Sequence, residues 1–128
     1  MNLYHIAARA AWSVAEVNGA YEPPSLASEG FVHCSTAEQV LLVARRFYAG
    51  QAGLVLLVID PAQLTSSLKW EQVLDDPESV PGGQGSAYPH IYGPVNLDAV
   101  TAVLDFEPDR DGRFHAPAVV NRETGMEW

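Results

Sequence analysis

The chain has 128 residues, 48% of them hydrophobic and 18% charged, which specifies one globular domain long enough for a single hydrophobic core. Its 16 acidic side chains against 7 Lys and Arg leave a net charge of −9 spread along the sequence, which disfavours nucleic acid or an anionic membrane as main partner. The lone cysteine, Cys34, excludes an internal disulfide, and the longest apolar run, residues 54–59, is too short to cross a bilayer.

In chain order, residues 2–6 are short and apolar and read as an opening strand. The alanine-rich residues 7–17 read as a helix that Asn18-Gly19 ends. Residues 21–30, with Pro23 and Pro24, read as a loop long enough to be functional. Residues 31–34 would be the second strand. Ser35-Thr36-Ala37-Glu38 then has the form of a capping box with Ser35 as the cap. The following helix carries Val40, Leu41, Val43, Ala44 and Phe47 on one buried stripe, with Gln39, Arg45 and Arg46 nearer solvent, and stops at Gly50.

Residues 53–59 form a nearly continuous apolar run, as expected of a central strand covered on both faces. Residues 69–74 alternate weakly and read as another strand, with Trp70 buried and Glu71 facing the other way. Residues 75–87 hold Pro77, Pro81, Gly82, Gly83 and Gly85 and read as a mobile loop. Residues 91–95 read as a strand broken by Gly93-Pro94, and residues 99–106 as the last strand. The domain is expected to end at residue 109, with residues 110–128 an extended or disordered extension.

Three of the four histidines sit inside short apolar runs: Leu3-Tyr4-His5-Ile6, Phe31-Val32-His33-Cys34-Ser35 and Tyr88-Pro89-His90-Ile91-Tyr92. Imidazole titrates near neutrality and serves as acid, base or ligand donor, so strands presenting it to one face would build a polar site. Pleating puts His33 with Ser35, and His90 with Tyr92, on common faces, while Cys34 points the other way. That separation argues against Cys34 as a nucleophile activated by His33. The start of the helix after Ser35 and Thr36 offers amide groups for an anion. Glu71 is the best candidate for a functional acid. Taken singly, each of these groups has a plain structural reading: a bonded core histidine, a helix cap, a solvated strand carboxylate. The histidine spacing matches no local zinc motif, so no metal is expected. No glycine-rich dinucleotide or phosphate-loop motif is present.

Taken together, Tyr4-His5-Ile6, Glu29-Gly30-Phe31-Val32-His33-Cys34-Ser35-Thr36, Lys69-Trp70-Glu71 and Pro89-His90-Ile91-Tyr92-Gly93-Pro94 resemble the DUF952 family of small bacterial proteins, to about residue 106. A more distant resemblance links such proteins to the ADP-ribosyltransferase fold, which implies an α+β domain: a split mixed or antiparallel sheet with two main helices. That resemblance implies NAD as cofactor in the cleft and an ADP-ribosyl- or phospho-transferase-like activity. By the same resemblance His5 stands where the adenosine ribose is held, and His33 where the fold's tyrosine stacks on nicotinamide. Glu71 or His90 stands near the position of the ribose-polarising glutamate. The expected catalytic set is therefore His5, His33 and Glu71, with Ser35, Thr36, His90 and Tyr92 binding ligand. The alternative is a noncatalytic module that binds a nucleotide or another small metabolite. Either way the expected setting is cytoplasmic, since Met1-Asn2-Leu3-Tyr4-His5 lacks the basic start of a signal peptide.

Overall fold

The computed structural model describes residues 1–72 and 87–125. The strands are β1 (Leu3–Ala8), β2 (Ala20–Tyr21), β3 (Val32–His33), β4 (Leu54–Ile59), β5 (Ser67–Gln72), β6 (Ala87–Tyr92), β7 (Val95–Asn96) and β8 (Val100–Asp105). The helices are α1 (Arg9–Asn18), α2 (Pro24–Glu29), α3 (Ala37–Phe47) and α4 (Ala118–Thr124). One sheet runs β1-β4-β8, a second β3-β6-β5, and β2-β7 form a two-stranded ribbon. Every pairing among the described strands is antiparallel, so the parallel component of the expected mixed sheet is absent from them.

β4 is the spine. All six of its side chains are buried, because both faces of its sheet are covered. On one face Val55, Leu57 and Ile59 pack with Leu3, Ala7, Ala15, Val32 and Ile91, against α1 and the inner face of the second sheet. On the other, Leu54, Leu56 and Val58 pack with Tyr4, Ile6, Val40, Leu41, Phe106 and Phe114 beneath α3 and α4. Each such aliphatic side chain contributes about 1.5–3 kcal/mol on burial, so this strand stabilises both layers. The core is thus divided by the sheet into two, where one was expected.

The two three-stranded sheets meet at a single isolated bridge between Tyr4 and Ser35, made by Tyr4 N–H to Ser35 O and Ser35 N–H to Tyr4 O, both at 2.8 Å. Beyond it β3 turns to pair with β6 through Val32 with Ile91 and His33 with His90. The molecule therefore contains a split between β1 and β3.

Several local expectations change. Residues 21–30 contain α2, because Pro24 occupies its first turn, where a missing N–H costs nothing. The capping box closes one residue later than expected: Thr36 is the cap, and the Gln39 side chain accepts from the Thr36 N–H at 2.9 Å. Gln39 is consequently buried, with its amide donating to Ala87 O, whereas Phe47 is 64% exposed. Trp70 is not buried but 45% exposed, because β5 lies at the edge of its sheet. Gly93 breaks the strand as expected, and for a steric reason: a Cβ there would lie 2.5 Å from Ser66 Oγ, which donates to Pro94 O. The stretch after residue 109 is not an extended tail. Phe114 and Val120 are fully buried, and Glu123 of α4 accepts from the Tyr4 hydroxyl at 2.9 Å. The glycine-rich stretch read as a mobile loop lies outside the described residues, apart from Ala87.

Candidate functional site

A cavity of about 570 Å³ opens at the split. Its walls are β1 at Tyr4–Ile6, the β3 segment at His33–Ser35, Tyr88 and His90 of β6, and Val43, Arg46, Phe47 and Tyr48 at the end of α3. The walls are mostly apolar, with a few polar groups converging on them, the usual character of a small-molecule site.

Strand pairing assembles the histidine wall. His33, His90 and Lys69 are cross-strand neighbours in one row, and Glu71 faces Tyr88 in the next. Pleating therefore gives these side chains, together with Phe31 and Tyr92, a common face, while Val32, Ile91 and Leu68 point into the core. Phe31 stacks on His90 with centroids 4.1 Å apart, and His33 meets His90 edge-on at 5.3 Å. Lys69 Nζ lies 4.6 Å from the centre of the Tyr92 ring.

His90 is 5% exposed. Its Nδ1 lies 2.8 Å from Glu71 Oε1, which also accepts from the Tyr92 hydroxyl. The hydrogen bonds from Tyr92 and then His90 hold the Glu71 carboxyl below the usual range, and Glu71 in turn raises the Tyr92 phenol. Glu71 does not itself line the cavity; it stands behind His90. His33 is half exposed, with Nε2 2.9 Å from Glu29 Oε2.

His5 behaves differently. In a continued ladder the carbonyl of His33 would accept a backbone hydrogen bond from β1. Instead it accepts from His5 Nδ1, whose ring wedges into the split. A carbonyl cannot donate, so Nδ1 carries the proton and Nε2 accepts from the Tyr21 hydroxyl at 2.7 Å. Burial lowers the His5 pKa to about 4, which keeps it neutral, and burial raises the Tyr21 phenol. Both ring nitrogens are thus engaged within the protein, and His5 fixes the geometry of the cleft floor.

Ser35 lines the cavity and is buried; among the described residues its hydroxyl has no partner. Thr36 serves as the helix cap, and the residues lining the cavity come from the last half of α3, not from its start. The first turn of α3 is not among the described residues that line the cavity, although Ser35 before it is. Cys34 packs in the core with its thiol pushed up by burial, as its strand parity requires. Among the described residues no group of three or more His, Cys, Asp or Glu side chains is arranged to hold a metal ion, and no helix is long and apolar enough to cross a membrane.

The structure thus brings His33, Glu71, His90 and Tyr92 together, with His5 beneath them and Ser35 beside them. Sequence reasoning passed over Tyr21, Glu29, Phe31 and Tyr88 as members of the site. Phe31 and Tyr88 were within reach of it, since each lies two residues from a wall histidine on the same strand face. The partners Tyr21 and Glu29 come from other elements and carried no such signal.

No functionally curated protein matches the chain. Among solved structures it is similar to protein CC0527 from Caulobacter crescentus. The crystal structure of that protein is 31% identical with a TM-score of 0.75, over 98% of this chain and 100% of that one. A double mutant of it gives 30% identity and the same TM-score and coverage. Its solution structure is 34% identical with a TM-score of 0.68, over 87% of this chain and 89% of that one. The family described as "Protein of unknown function (DUF952)" matches residues 6–103, and the chain belongs to it.

Proposed function

We propose that the cleft receives a nucleotide-like small molecule, NAD first among candidates, and that the domain is a cytoplasmic enzyme transferring an ADP-ribosyl or related group from it. One observation carries this reading: a ring wall in which Phe31 stacks on His90 and His33 meets His90 edge-on, backed by the ionised Glu71 and set at the split of the sheet. Flat rings are suited to stacking on a nicotinamide or purine face. Cleavage of a glycosidic bond passes through a cationic sugar, which a carboxylate one imidazole away stabilises electrostatically. Arg46 is the one cation among the described lining residues. The transferase reading rests on the sequence resemblance and the character of the cleft; the similar CC0527 structures carry no such description.

The test is calorimetric titration with NAD and with ADP-ribose, the same samples being assayed for free nicotinamide. Binding with nicotinamide release is the expected result. A wild-type protein that binds neither compound would remove the nucleotide reading. The second reading, a noncatalytic binding module, is favoured by the engaged nitrogens of His5 and by the position of Glu71 behind His90. It predicts binding that leaves NAD intact.

A further inference from the structure

We propose that His90 is the proton acceptor of the cleft, oriented by Glu71 as a positioning residue, and that its substrate there is the hydroxyl of an acceptor molecule or water. The inference rests on the nucleotide-transfer reading for the identity of the donor, but not for the chemistry of the imidazole.

His90 Nδ1 faces a carboxylate oxygen that already accepts from Tyr92. An ionised carboxylate donates nothing, so in the neutral imidazole Nδ1 carries the proton and Nε2 keeps its lone pair. The ring is buried, it lines the cavity, and among the described residues Nε2 has no partner. A buried polar atom in that condition costs free energy unless a ligand or water completes it. The Ser35 hydroxyl, buried and likewise without a partner among the described residues, lines the same cavity. Two unpartnered polar groups on one wall mark where a hydroxyl is to be received.

In the reaction, the acceptor O–H gives its proton to Nε2 while its oxygen forms a bond to the anomeric carbon of the ribosyl donor. The bond from that carbon to the pyridine nitrogen breaks, and its electron pair stays on the nitrogen, cancelling the positive charge there. The new imidazolium is balanced by Glu71, a pairing that an unassisted histidine would lack. Glu71 thus contributes without touching the sugar.

Two measurements test this. Imidazole ¹⁵N–¹H correlation spectra of the unliganded protein report the tautomer directly. We expect His90 protonated on Nδ1 alone in wild type, and on both nitrogens in exchange in Glu71→Gln. A wild-type Nε2–H tautomer, or no change in Glu71→Gln, would overturn the assignment. In the turnover assay at saturating NAD, His90→Gln is expected to lower nicotinamide release by about 10²–10⁴-fold, the range of general-base loss. Release retained within about threefold of wild type would equally overturn it. If wild type shows the expected tautomer but releases no nicotinamide, NAD is rejected as donor, while His90 stands as the acceptor of the cleft.

Discussion

A buried imidazole resists protonation because the cation would lose its hydration. His5 is in that position between His33 O and the Tyr21 hydroxyl, and it titrates near pH 4 against 6.5 for a free side chain. Between those values the unfolded chain binds the proton and the folded chain does not. Stability therefore falls as pH drops through this window, by about 3 kcal/mol when the whole window is crossed. His5→Asn keeps an amide donor near His33 O and cannot be protonated. Urea unfolding at about pH 7 and about pH 4.5 should show a smaller acid loss in this variant than in wild type. An equal loss in both would assign the acid sensitivity to carboxylates such as Glu71 and Asp109, which are also held ionised in the fold. His33 contrasts with His5. Its ring is half exposed and, among the described residues, hydrogen-bonds Glu29 alone, so His33→Ala should keep the urea midpoint, the change lying within about 0.5 kcal/mol, while it removes nicotinamide release. Parity along the strand was enough to separate the faces of His33 and Cys34. It could not show that the His5 ring takes the place of a ladder hydrogen bond, because that depends on where two distant strands part.

Among the elements, α4 departs most from what its sequence suggests. The stretch after residue 109 is polar and lacks a clear period, so it reads as a tail; its fixation comes from a few anchors far apart in sequence. Phe114 stacks on Phe106 at 4.8 Å, Val120 is fully buried, and Glu123 binds both the Asn2 amide and the Tyr4 hydroxyl. Burial, with help from Glu123, pushes the Tyr4 phenol up to about 12. Phe114→Ala should destabilise the protein by about 3–5 kcal/mol and Glu123→Ala by about 1–2 kcal/mol, read from urea midpoints at constant slope. A change below about 1 kcal/mol for Phe114→Ala would mean that the extension docks without supporting the core. The same principle explains the shifted cap. Ser35 satisfies the usual capping preference, but its backbone is held in the bridge to Tyr4, so the next residue, Thr36, takes the helix start. Tertiary pairing outranks a local motif where the two compete.

At the scale of the whole molecule, the central strand and the histidine wall follow from hydrophobic run length and pleat parity. The split does not, since it is a choice of partner: β3 leaves β1 after one bridge and joins β6. Charge is the other whole-molecule property, and it bears on what can enter the split. The chain carries −9, and Arg46 is the one cation among the described lining residues, so NAD, with a net charge of about −1 from its diphosphate and pyridinium, approaches against the field of the protein. At about 0.01 M salt that field reaches about 30 Å, whereas at about 0.15 M it is confined to about 8 Å. Screening should therefore speed association, the reverse of what a basic nucleotide or RNA site does. Stopped-flow association of a fluorescent NAD analogue should show an on-rate that rises severalfold, by about 2–5-fold, across this range. A neutral nucleoside such as a fluorescent adenosine analogue, which lacks the phosphates, should show no such rise. An on-rate that falls with salt would mean that Arg45, Arg46 and Lys69 set the local potential at the mouth of the cleft. Larger polyanions would then return as candidate ligands.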